Sequence, residues 1–122
     1  MSAKRVLVTE DDPSIRKLLA TILRRASYDV DTAVNGHDAI EKATQTEYDV
    51  IVLDLMMPVM SGVEVLARLA IRKPKPRFVV IMSAEPLDDI AKANGANVFA
   101  ALHKPSAIET IVATVGACIA AA

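Results

Sequence analysis

The chain has 122 residues, with 14 Lys and Arg against 15 Asp and Glu and a formal net charge of −1. That is room for one compact domain rather than two, and the near-cancelling charge lacks the basic excess of a nucleic-acid-binding surface. A single cysteine, Cys118, and no tryptophan exclude a disulfide-stapled mini-protein and make an aromatic platform for single-stranded bases an unsuitable reading. No apolar segment reaches the roughly 18 residues of a membrane span, and the N-terminus does not read as a secretory signal. The expectation is a cytoplasmic protein that touches neither membrane nor nucleic acid.

In chain order, Val6-Leu7-Val8 is a short β-branched run ending at Glu10-Asp11-Asp12. Asp12 suits an N-cap and Pro13 the first helical turn, and Ile15, Leu18, Leu19, Ile22 and Leu23 follow at helical spacing. Residues 28–33 read as a second strand, Asn35-Gly36 as a turn, and Ala39, Ile40 and Ala43 as the inner face of a second helix. Val50-Ile51-Val52-Leu53 is apolar on both faces, as a central parallel strand should be, and it ends at Asp54. A helix with Val63, Leu66 and Leu69 inward comes next, closed by Pro74 and Pro76. Phe78-Val79-Val80-Ile81-Met82 is another buried strand, ending at Ser83. A short helix is expected around 87–94, a strand over 98–102, then Lys104-Pro105. The last helix carries Ile108, Ile111, Val112, Val115 and Ile119 inward. Thr110, Ala113, Thr114, Gly116, Ala117 and Cys118 remain for its outer, uncharged face.

Five strand–helix units in strict alternation predict an α/β fold, a parallel sheet with helices on both faces. In such sheets ligands bind beyond the carboxyl ends of the strands, where the strand order reverses. Those ends carry Glu10, Asp11 and Asp12, then Asp54, Ser83 and Lys104. Clustered carboxylates suit a hard cation such as Mg²⁺, which prefers one or two carboxylates, water and a phosphate oxygen. With metal and lysine neutralising the charge, a carboxylate can act as a nucleophile toward phosphorus and form an acyl phosphate.

The stretches Thr9-Glu10-Asp11-Asp12-Pro13-Ser14-Ile15-Arg16 and Asp54-Leu55-Met56-Met57-Pro58-Val59-Met60-Ser61-Gly62 resemble the acidic opening and the phosphoacceptor loop of response-regulator receiver domains of two-component systems. Ile81-Met82-Ser83-Ala84 and His103-Lys104-Pro105 resemble the ends of the fourth and fifth strands in that family. The resemblance covers essentially the whole chain. It implies a single receiver domain over 1–122 with the flavodoxin-like (βα)5 fold and strand order 2-1-3-4-5. It further implies that Asp54 accepts the phosphoryl group and that Lys104 and Ser83 contact the phosphoryl oxygens. Mg²⁺ would be held by Glu10, Asp11, Asp54 and the backbone carbonyl of Met56.

The implied function is a phosphorylation-dependent signalling switch that catalyses only its own phosphorylation and dephosphorylation. The implied donor is a sensor histidine kinase or a histidine phosphotransfer protein. Output would pass through phosphorelay or through a downstream protein or second copy, docked on the helix around 87–94, the fifth strand and the last helix. One departure stands out: the family commonly has an aromatic residue three positions before the lysine, and here it is Ala101. The stretch from Gly95 to Lys104 is also about two residues longer than the family leads one to expect. A phosphorylation-independent interaction module of the same fold is the alternative. A dehalogenase-type phosphatase wants a second Asp two residues after the nucleophile, where Met56 stands. A flavin carrier wants a Gly/Ser/Thr-rich first loop, and this one is acidic.

Overall fold

The structure, a computed structural model, describes residues 3–54, 60, 62–71, 78–83, 98–103 and 108–120. The elements are β1 (Arg5–Thr9), α1 (Pro13–Arg25), β2 (Asp29–Ala33), α2 (Gly36–Gln45), β3 (Val50–Asp54), α3 (Gly62–Ile71), β4 (Phe78–Ser83), β5 (Val98–His103) and α4 (Ile108–Ala120). The helix expected around 87–94 lies outside the described residues.

All strand pairs are parallel, as the alternation of elements predicts, and the order is β2-β1-β3-β4-β5, as the resemblance implies. Successive strand residues point to opposite faces, so each central strand feeds two cores. Leu7, Ile51, Leu53 and Val79 pack with Ala39, Ile40, Val65 and Leu69 from α2 and α3. On the other face Val6, Val8, Val50, Val52 and Val80 pack with Leu19, Leu23, Ile111 and Val115 from α1 and α4. This two-sided burial is why the middle strand reads as an unbroken apolar run. Between β4 and β5 the register is irregular: Val98 pairs with Val79, but Ala100 pairs with Val80, leaving Phe99 as an extra residue.

Asp12 starts α1 as expected, its Oδ1 accepting from the backbone N–H of Ser14 at 2.8 Å and of Ile15 at 3.2 Å. At the other end Ser27 takes a left-handed conformation with φ 73°. Its N–H donates to the Arg24 carbonyl at 3.0 Å and that of Tyr28 to the Leu23 carbonyl at 3.2 Å, the paired bonds of a Schellman motif. Two of the apolar side chains at helical spacing on α1 are exposed, Ile15 by 39% and Leu18 by 48%. The buried stripe runs instead through Leu19, Ala20 and Leu23. On α3 Val65 is fully buried, a core position the periodicity missed, while the side chains of Val63 and Leu66 lie outside those described.

On α4 one expectation is corrected. Cys118 belongs to the core rather than the outer face, with no exposed surface. It lies at i+3 from Val115 and i+7 from Ile111, which puts it on their stripe. Burial pushes its thiol pKa up to about 11.

Candidate functional site

The register explains how the carboxylates meet. Thr9 pairs with Leu53 across the β1–β3 ladder, so the next residues, Glu10 and Asp54, leave neighbouring strands at the same level. One carboxylate oxygen from each of Glu10, Asp11 and Asp54 can be chosen so that all lie within 4.8 Å of one another. Glu10 and Asp54 are only 2% and 1% exposed, whereas Asp11 stands at the mouth.

Several bonds hold this corner. The Glu10 N–H donates to the Ala33 carbonyl at 3.2 Å, tying the end of β1 to β2. The Asp12 N–H donates to Glu10 Oε1 at 3.3 Å, and Asp12 itself is occupied by its cap, as expected. Arg16 reaches back from α1: its Nη1 donates to the Glu10 carbonyl at 2.9 Å and the Asp11 carbonyl at 3.3 Å. Arg16 falls inside the motif singled out in the sequence but received no role there. A cation one helical turn after an acidic strand end was the available signal.

Two nearly buried carboxylates beside a third are costly without a compensating positive charge. The donor set is oxygen only, the chemistry of a hard divalent cation rather than of zinc or copper. The site therefore fits Mg²⁺ by donor type and by charge. Of the other residues singled out, Ser83 ends β4 opposite His103 of β5; its side chain lies outside those described. Lys104 and Met56 also lie outside the described residues. Thr9, immediately before the cluster, is fully buried, and its hydroxyl has no hydrogen-bond partner among the described residues. No helix of the described residues is long and apolar enough to cross a membrane.

The chain is similar to known proteins in sequence and in fold. The family model described as the response regulator receiver domain matches residues 6–116. The response regulator ArlR of Staphylococcus aureus is 30% identical over 114 residues, covering 93% of this chain and 51% of ArlR. The chain spans about half the length, or less, of the curated relatives it matches. Among solved structures, the chemotaxis protein CheY4 of Vibrio cholerae superposes with a TM-score of 0.82 at 32% identity, covering 96% of this chain and 99% of that one. The response regulator TrrA of Thermotoga maritima, solved in complex with Mg²⁺–BeF, gives 0.79 at 29% identity, covering 94% and 98%. With the family model matching all but the two ends, and the carboxylates gathered at the strand ends where the sequence put them, the chain belongs to the response regulator receiver domain family.

Proposed function

We propose that residues 1–122 act as a single receiver domain, a cytoplasmic switch phosphorylated on Asp54 by a sensor histidine kinase or a histidine phosphotransfer protein. The observation that carries the reading is the gathering of Glu10, Asp11 and Asp54 within 4.8 Å at adjoining strand ends. A carboxylate oxygen of Asp54 attacks the donor's phosphorus while the bond to the donor's leaving group breaks. Asp54 is the residue for this step because it continues a rigid, fully buried strand and so presents its oxygen with little freedom to lose. Glu10, Asp11, Asp54 and the Met56 carbonyl would hold Mg²⁺, whose charge would offset the repulsion between carboxylates and phosphoryl oxygens. Lys104 and Ser83 would contact the transferred oxygens. TrrA, solved with Mg²⁺–BeF, supports the pairing of a divalent cation with this fold.

Output would pass by relay, or through a protein or second copy docked on the segment around 87–94, β5 and α4. The exposed positions of α4 after Glu109 are Thr110, Ala113, Ala117 and Ala120, an uncharged surface that supports close approach. The central test is incubation with Mg²⁺ and a small phosphodonor, followed by intact mass. One phosphoryl group should appear on the parent, and none on Asp54→Asn or on the parent with chelator. Full labelling of Asp54→Asn would overturn the assignment.

A further inference from the structure

We propose that Arg16 is a positioning residue for the cation site, bending the chain at Asp11 so that the Glu10 and Asp11 carboxylates turn to the same side. The proposal rests on the metal-assisted reading above and adds a residue to it. In an extended strand, consecutive side chains point to opposite faces and consecutive carbonyls to opposite sides. Had β1 continued through Asp11, only one of the two carboxylates could have met Asp54. The chain bends at Asp11 instead, and a single nitrogen, Arg16 Nη1, donates to both carbonyls, Glu10 at 2.9 Å and Asp11 at 3.3 Å. One donor can satisfy two consecutive carbonyls only where both have been turned toward it. Arg16 itself is fixed by α1, whose first turn is held by the Asp12 cap and by the Arg16 N–H donating to the Asp12 carbonyl at 2.9 Å. The guanidinium thus ties helix to loop through both carbonyls.

Charge and position make opposite predictions here. A guanidinium is always protonated, so through charge alone Arg16 would repel an incoming cation, and its removal would tighten binding. Through position, its removal lets the Glu10–Asp11 turn relax, and binding weakens. Arg16 is half-buried and borders an open groove of about 300 Å³ with Pro13, Lys17, Ala20, Arg24 and Thr32. Truncation there leaves no sealed cavity, and Ala favours the helix.

The test is calorimetric titration of the whole chain with MgCl₂ in metal-free buffer, for the parent, Arg16→Ala and Arg16→Lys, with thermal melts to confirm folding. Groups that orient ligands from behind are worth about 10–100-fold in metal affinity. Because Arg16 acts on the ligands' backbone and not on their oxygens, the expected loss for Arg16→Ala is at or just below the lower end, about 5–10-fold. Arg16→Lys, which keeps a donor for one carbonyl, should lose less. A Kd for Arg16→Ala within about twofold of the parent's, or tighter, overturns the proposal, as does a Lys variant no better than the Ala one. If the parent binds no Mg²⁺, the metal reading falls as well; if the parent binds and Arg16→Ala matches it, only the role of Arg16 falls.

Discussion

Replacing Asp54 with Asn should make the metal-free protein more stable. One carboxylate oxygen from each of Glu10, Asp11 and Asp54 lies within 4.8 Å of the other two. Two unit charges at that separation repel by about 3.5 kcal/mol at an effective dielectric of 20, and by about 0.9 kcal/mol in water. Glu10 and Asp54 are both nearly buried, so their pair lies toward the first figure; the exposed Asp11 contributes toward the second. Neutralising Asp54 relieves about 4 kcal/mol of gross repulsion and forfeits whatever the carboxylate gains from its other neighbours, for a net gain of about 1–2 kcal/mol. Urea unfolding followed by far-UV circular dichroism in chelator reads this as a higher midpoint at unchanged slope. Adding Mg²⁺ should stabilise the parent, by about 1.4 kcal/mol at ten times its dissociation constant, and the Asn variant by less. A metal-free Asp54→Asn protein no more stable than the parent would show that repulsion does not dominate the energetics of the site.

Four further substitutions probe the frame of the fold. A methyl group on Gly36 would fall 2.7 Å from Val65 Cγ2 and 3.0 Å from Met60 Cβ; overpacking costs about 1–3 kcal/mol against a helix gain of about 0.5–1 kcal/mol. Gly36→Ala should therefore lower the urea midpoint, and Val65→Ala in the same chain should recover part of the loss, since stiff β-branched Val65 cannot swing aside. Ser27→Gly should raise stability by about 0.5–1 kcal/mol, because φ is 73° there and glycine adopts that conformation without strain. The Tyr48 phenol, which donates to Asp31 Oδ2 at 2.7 Å, is held above its ordinary pKa of 10.0, first by burial and then by Asp31. The unfolded chain releases that proton first, so this stabilisation is complete below about pH 10 and is lost as pH rises from there. Tyr48→Phe should flatten the alkaline fall in urea midpoint.

Much of this was legible because the fold places its chemistry at the ends of apolar runs. Once Val6-Leu7-Val8 and Val50-Ile51-Val52-Leu53 are strands, the acids that follow them must lie at one margin of the sheet. Asp12 and Pro13 marked the start of α1 through local rules of capping. The residues misread were those whose surroundings depend on distant elements. Ile15 and Leu18 fit the helical period, but α1 packs through a narrow stripe and leaves them outside. Cys118 reads as an outward small residue among alanines, though its spacing from Val115 and Ile111 puts it on the inner stripe. Val65 is buried because α3 lies against Gly36 as well as against the sheet. The extra length before Lys104 was visible in the chain, but not its disposal. An apolar run such as Val98-Phe99-Ala100-Ala101-Leu102 does not reveal which residue a bulge will skip. The ladder skips Phe99, which returns Ala101 to a partner, Ile81, and brings His103 level with Ser83.

The sheet also has an open margin. β2 is an outer strand only five residues long, and two of those residues, Asp29 and Asp31, are exposed. A second copy adding itself strand to strand there would bring four carboxylates along one new seam, where like charges placed opposite one another are destabilising. Short, charged outer strands are a recognised guard against such runaway pairing. The protein would therefore resist polymerising through this margin, and any assembly it forms would use its helical faces or the opposite edge at β5.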